Sequence, residues 1–210
     1  MIVDETLNPE DSSVMGGQLC LAFANTVHCY GGEDPRDELA DYADLVEWCK
    51  RAGVITDGET RRLRGEAQRH IHEAAEIFNK AIELRASIYR VFSAVAGGRR
   101  PAKADLTILN ASVSEALPWL QIIATPKGFV WSWKEDEGNI GRILWPMSRS
   151  SAELLTSDQL SRLRECSGNN CTWLFMDTSK NQSRKWCSMS GCGNRAKSLR
   201  HYNRVRGLSR

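Results

Sequence analysis

The chain has 210 residues and a mass of 23.6 kDa, with 41% hydrophobic and 26% charged residues; this globular balance excludes a mainly disordered or collagen-like chain. No apolar run reaches the roughly 18 residues that cross a bilayer. The acidic start MIVDETLNPEDSS lacks the basic-then-apolar order of a secretion signal. A soluble cytoplasmic protein with no membrane partner is expected. The net charge of +2 is unevenly spread: residues 160–210 hold 11 Lys/Arg against two acids, Glu165 and Asp177, whereas the rest hold 17 Lys/Arg against 24 Asp/Glu. From Lys180 onward there are nine basic residues and no acid. Such a split suggests two modules, the basic one directed at nucleic acid or another acidic surface.

In chain order, residues 12–30 read as a turn at Gly16-Gly17 and a short buried segment, helix or strand. Gly31-Gly32 and Pro35 mark a loop. Leu39, Tyr42, Leu45, Val46 and Cys49 recur at helical spacing over 37–52, with Gly53 as the stop. Thr56 and Glu59 have the spacing of a capping box opening a helix near 57–69. A longer helix follows over 69–96, with Ile71, Ala75, Phe78, Ile82, Arg85, Ile88-Tyr89, Phe92 and Val95 on its apolar side. Gly97-Gly98 and Pro101 end it. Residues 103–116 form another helix carrying Leu106, Leu109 and Val113. Trp119–Ala124 and Phe129–Trp133 are β-rich runs joined by Thr125-Pro126-Lys127-Gly128, a hairpin signal. Residues 140–155 are helical again, with Pro146 bending or splitting them. The expected class is α+β: a mostly helical domain over 1–157 with one small β-hairpin, and a small module over 158–210.

That second module contains four of the seven cysteines. Cys166, Cys171, Cys187 and Cys192 read Cys-x4-Cys-x15-Cys-x4-Cys, two close pairs that fold back to face one ion in the tetrahedral thiolate set that zinc prefers. Two disulfides or an iron–sulfur cluster are the alternatives; a reducing cytosol opposes the first. With all four positions filled by Cys, one structural Zn²⁺ per chain is expected rather than a catalytic ion. Four thiolates around one Zn²⁺ leave two net negative charges to be offset, and Arg184, Lys185 and Arg195 lie close to ligands in sequence. Cys20, Cys29 and Cys49 read as buried thiols acting as small hydrophobes.

Residues 172–177 read as a strand leaving the first pair, 179–182 as a turn, and Arg184–Cys187 as the returning strand. A helix then runs from the second pair through Arg204. Ala196, Leu199 and Tyr202 recur every three residues and can pack on Trp186 and Phe175. Lys197, Arg200 and Arg204 share another face. These three, with Arg206 and Arg184 behind them, are the candidate nucleic-acid contacts, since Arg and Lys neutralise phosphate and Arg reads guanine. Asn203 is a weaker candidate for adenine. Arg195 and Asn194 read as local supports donating to sulfur or to loop carbonyls.

Cys192-Gly193-Asn194-Arg195, preceded by Arg184-Lys185-Trp186-Cys187-Ser188-Met189 and by the Cys166/Cys171 pair, resembles the CGNR zinc finger. Gly16-Gly17-Gln18-Leu19-Cys20-Leu21-Ala22-Phe23-Ala24-Asn25-Thr26-Val27 resembles the opening of the ABATE domain that accompanies this finger. The resemblance implies a stress-induced transcriptional regulator of bacterial type, with a finger that binds DNA and an N-terminal domain that senses a ligand. Ala22 departs from it, standing where an acid is expected in many relatives. The resulting expectation is a zinc-dependent regulator that binds double-stranded DNA as a homodimer, its N-terminal domain sensing a small-molecule effector or mediating dimerisation. An RNA- or protein-binding adaptor is the alternative. Catalysis is not expected: no phosphate loop, HExxH or GxSxG occurs, and the pairs Asp41/Asp44 and Glu73/Glu76 read as solvated helix faces.

Overall fold

The computed structural model describes residues 18–30, 35–134 and 138–206. The expected turn at Gly16-Gly17 and loop at Gly31-Gly32 lie outside these residues. The short apolar segment is a helix, α1 (Leu19–Ala24), with every residue after Leu19 buried. It leads into a two-residue strand, β1 (Val27–His28), paired antiparallel with β2 (Arg36–Asp37). Helix α2 (Tyr42–Arg51) starts five residues later than the periodicity suggests. Asp41 sets the start by accepting from the Asp44 amide at 2.9 Å, and Asp44 in turn accepts from the Ala40 amide. The carboxylate pair is therefore a helix cap. Gly53 ends the helix with φ of 68°, a conformation that costs glycine little. Thr56 and Glu59 form the full capping box of α3 (Asp57–Arg69).

The long helix α4 (Ile71–Ala96) is the central element, touching α1, α2, α3, α5 and the C-terminal strands. Its first turns are phased differently from the sequence reading. Ile71 and Ala75 are exposed, while Ala74, Ile77, Ala81, Leu84, Ile88 and Phe92 face the core. The core also takes in one charge. Arg85 is 3% exposed and grips both Asp37 carboxylate oxygens at 2.7 and 2.5 Å and Thr26 Oγ1 at 2.9 Å. A buried guanidinium must be paired in this way, and the pair fixes the β1–β2 corner on α4. Partial burial alone pushes the Asp37 carboxyl up, but the Arg85 and Leu39 hydrogen bonds outweigh it and hold it below the usual range.

Helix α5 (Lys103–Ala116) packs on α4 and on α6 (Trp145–Leu155). Pro146 divides the 140–155 segment as expected: a 3₁₀ turn over Ile140–Leu144 precedes α6. Strands β3 (Leu120–Thr125) and β4 (Gly128–Trp133) form the expected hairpin, with Thr125 opposite Gly128. Trp145 stacks on Trp119 at 5.3 Å and meets Trp133 at 5.5 Å, which fixes the hairpin root to α6.

The C-terminal module has the expected small antiparallel pair ahead of its last helix, but one of the two strands is not the one expected. Strand β6 (Leu174–Met176) pairs with β5 (Leu163–Glu165), not with residues 184–187, which form no strand. The first cysteine pair lies in the connection between these strands. The reason is burial: Leu163, Leu174 and Met176 join the same apolar core as Leu84 and Ile88, so the chain preceding Cys166 has the better partner for β6. Asn25, 6% exposed, completes the junction. Its amide donates to the Leu174 carbonyl at 2.8 Å and accepts from the Leu174 amide at 2.9 Å, as a neighbouring strand would. Among the described residues no helix is long and apolar enough to cross a membrane.

Asn25→Ala should leave two buried backbone groups of Leu174 unpartnered and cost about 2–4 kcal/mol. Urea unfolding followed by helical circular dichroism and by tryptophan fluorescence should show both signals moving together to lower denaturant. A fluorescence change alone, with the helical signal unmoved, would show the junction to be unimportant to the body.

Candidate metal centre

Two loops bring the four sulfurs together. The Cys171 amide donates to the Gly168 carbonyl at 3.0 Å, folding the first pair back on itself. The second pair closes through Ser188, whose hydroxyl accepts from the Gly191 amide at 2.9 Å and whose carbonyl accepts from Gly193. A π-turn over Met189–Gly193 carries Cys192 directly into α7 (Asn194–Val205). The Ser167 amide donates to the Lys185 carbonyl at 2.9 Å and ties the two loops side by side.

All four ligand atoms lie within 4.8 Å of one another. Cys187 Sγ stands 3.7 Å from Cys192 Sγ and 3.8 Å from Cys171 Sγ. A tetrahedron with Zn–S bonds of about 2.3 Å has edges of about 3.8 Å, so the sulfurs already have the spacing that one ion needs. The distances are far too long for disulfides, and the four thiols are free cysteines. They are too close for a multi-iron cluster, whose ligands must embrace several metal atoms. Without an ion the sulfurs compete for protons. Donation from Cys171 and Cys187 holds the Cys166 thiol far below its ordinary range, and the same contact pushes Cys171 up to about 12. A divalent cation removes that conflict by accepting all four as thiolates.

The surroundings offset the excess negative charge. Cys166 Sγ accepts from the amides of Gly168 at 3.4 Å and Cys187 at 3.3 Å. Arg195 donates to Cys192 Sγ at 2.9 Å, and Asn194 donates to the Ser190 carbonyl at 3.2 Å; both are the local supports read from sequence. The sulfur bond holds the Arg195 guanidinium above even its ordinary range. Gly168 is required by space: a Cβ there would meet Cys192 Sγ at 3.0 Å and Cys166 Sγ at 3.4 Å. Sequence reading missed it, although its place inside the first cysteine loop was a signal.

Among the other thiols, Cys20 and Cys49 are fully buried, and burial pushes Cys20 up to about 11 and Cys49 higher still. Cys29 differs from expectation. It is half-buried and its thiol donates to the Asn170 carbonyl at 2.5 Å, next to the ligand Cys171.

The five basic candidates separate. Lys197, Arg200, Arg204 and Arg206 are exposed on or just beyond α7. Arg200 lies 6.0 Å from the Trp186 ring and Arg206 4.5 Å from the Tyr202 ring, while Arg204 contacts His201. Arg184 turns inward, over the Phe175 ring at 5.0 Å, and donates to the carbonyls of Trp186 and Cys187; it braces the finger. The expected packing of Ala196, Leu199 and Tyr202 is not formed: no α7 residue is buried, and Leu199 and Tyr202 are exposed.

A cleft of about 440 Å³ opens elsewhere, between the start of α3 and α6, with Arg62, Glu59, Arg142, Lys134, Trp133 and Trp145 in its lining. Arg142 is ion-paired with Glu59, whereas Arg62 is half-buried and makes no charge contact among the described residues. Ala22 does not line this cleft; it is buried in α1.

Together these features define a four-cysteine zinc finger joined to a helical domain through a shared core. The chain belongs to the ABATE family, described as "Putative stress-induced transcription regulator", which matches residues 17–158, and residues 162–205 match the CGNR zinc finger. A search of curated proteins finds no match.

Gly168→Ala should force Cys192 or Cys166 aside and weaken zinc retention at least tenfold in competition with a chromophoric chelator, and Cys187→Ser should abolish tight binding. Wild-type retention in both variants would contradict the ligand assignment.

Proposed function

We propose that the protein is a transcriptional regulator that binds double-stranded DNA through α7, held in place by the zinc site. One observation carries this reading: a helix without a single acid projects Lys197, Arg200 and Arg204, with Arg206 just past its end, into solvent from a metal-anchored base. Twelve residues span about 18 Å, and a helix with no buried side chain can enter a major groove about 12 Å wide without first leaving its own protein. Lys197, Arg200 and Arg204 occupy i, i+3 and i+7, so they can reach one strand's phosphates and the base edges beside them. The same charges would serve structured RNA; duplex DNA is the target we infer.

A single module of this kind covers only roughly 600–1,000 Å² of protein surface on DNA. Two fingers in a homodimer would give operator-level affinity. The effector seat we infer is the 440 Å³ cleft beside α3, a volume within the range of small-molecule sites. Arg62, which pairs with no acid among the described residues, favours an anionic ligand that can stack on Trp133. The inferred role is binding, not catalysis, in a cytoplasmic setting.

Selection of bound sequences from a random duplex pool, with and without chelator, tests the reading. One enriched site that disappears on chelation is the expected result. Lys197→Ala/Arg200→Ala/Arg204→Ala should retain zinc, weaken DNA binding roughly a hundredfold at moderate salt, and reduce the slope of log affinity against log salt by almost one per lost phosphate contact. Preference for a structured RNA at matched salt, or unchanged DNA binding by the triple variant, would overturn it.

A further inference from the structure

The β3–β4 hairpin leaves the body with an unfinished surface. Its two-residue turn makes Thr125 and Gly128 the closing pair, and the Lys134 amide bonds to the Trp119 carbonyl at 2.7 Å at the far end. Antiparallel alternation then turns the backbone groups of Ile122, Ala124, Phe129 and Trp131 away from the partner strand. Among the described residues nothing hydrogen-bonds to them. The side chains of these same residues share one face. Phe129 is 80%, Ile122 61% and Trp131 46% exposed, and Leu117 beside the root is 54% exposed. Below them an apolar cleft of about 270 Å³ runs between the hairpin, the end of α5 and α6. Open edges and apolar faces of this kind invite pairing, and proteins that keep them cover them.

We propose that this arm and the cleft at its root form a two-fold interface with a second copy of the chain. The inference rests on the dimeric reading above and gives that dimer its contact. Charge selects the partner. Among the described residues the only charged ones lining the cleft, Arg149 and Glu153, are already paired at 2.7 Å, with Arg149 also over the Trp131 ring at 5.2 Å. The described lining of the cleft is therefore neutral, and the arm itself carries one charge, Lys127 in the turn, so two copies meet with little repulsion and a polyanion or strongly acidic peptide finds a single cation in place of the several on α7. The apolar row on α7, by contrast, is flanked by Lys197, Arg200 and Arg204 and would repel its own copy. Edge strands are also self-complementary, because an antiparallel strand turned about a two-fold axis presents donors to its own acceptors. The exposed large apolar side chains amount to on the order of 400 Å². With the polar rim they approach the roughly 800 Å² per partner of a stable dimer.

Sedimentation equilibrium of the full-length zinc-loaded protein, without DNA, tests the proposal. The wild type should show twice the chain mass in the micromolar range. Ile122→Lys/Phe129→Lys, both at exposed positions, should show the mass of one chain with helicity and zinc content unchanged. The triple α7 variant should stay dimeric, so loss of DNA binding and loss of the dimer are read separately. A monomeric wild type, or a variant that stays dimeric, would overturn the interface.

Discussion

Four thiolates crowded around one point are the constraint on which the C-terminal module depends. Among the described residues the buried cluster there is only Cys166, Phe175, Cys187 and Cys192, with Cys171, Trp173 and Trp186 partly buried beside it. That is too small to balance the conformational entropy of the loops that carry it. The ion substitutes for a hydrophobic core. Its demands then explain the neighbouring residues: Gly168 because no Cβ fits, two amides aimed at Cys166, and Arg195 held to Cys192. Part of the module's basic charge thus serves the metal, and only the remainder is free for a polyanion.

The finger is not a bead on a string. Strand β6 lies three residues beyond Cys171, and its Leu174 is gripped by Asn25, the residue that follows α1, and packed with the α4 core. The Tyr30 amide donates to Thr172 at 2.9 Å, and Ser93 of α4 donates to Glu165, the residue before Cys166, at 2.7 Å. His28 and Trp173 meet at 5.0 Å. A shift of α1 or α4 therefore moves the first zinc loop directly. An effector bound at α3 and α6 would need no long-range wire to reach the finger, only a small change in how α4 seats against its neighbours. Linkage then requires that DNA at the finger alter effector affinity by the same factor.

Much of this was legible from residue types and spacing. The cysteine pattern located the metal, Thr56 and Glu59 located a helix start, Gly53 a helix end, and Thr125–Gly128 a hairpin. In each case the signal is local chemistry that tertiary context does not easily override. What stayed hidden was tertiary. Three-residue strands such as β5 and β6 are too short to show alternation, and only the shared burial of Leu163, Leu174 and Met176 makes them a pair. The exposure of Ile71 follows from where α4 enters the core, which periodicity alone leaves free by one position. Periodicity put Arg85 on the apolar side of α4, but its partner was hidden, because only the fold brings Asp37 within 3 Å across the β1–β2 corner. The family resemblance had marked Asn25 as part of a motif without giving its task; its bonds to the Leu174 backbone supply one.

The isolation of α7 has a physical explanation in the metal. A twelve-residue helix with no buried side chain is marginal in water, because the first turn fixes several residues for a single hydrogen bond. Here that first turn is prepaid by other structure: the π-turn is closed by Ser188, Arg195 is bound to Cys192, and thiolate charge lies at the positive end of the helix dipole. Arg204 in the last turn complements the opposite end. The zinc site thus nucleates the helix and leaves its sides uncovered. The C-terminal turns, remote from the anchor and crowded with like charge, are the part a polyanion would stabilise most, since phosphates would replace the repulsion among Lys197, Arg200 and Arg204 with attraction.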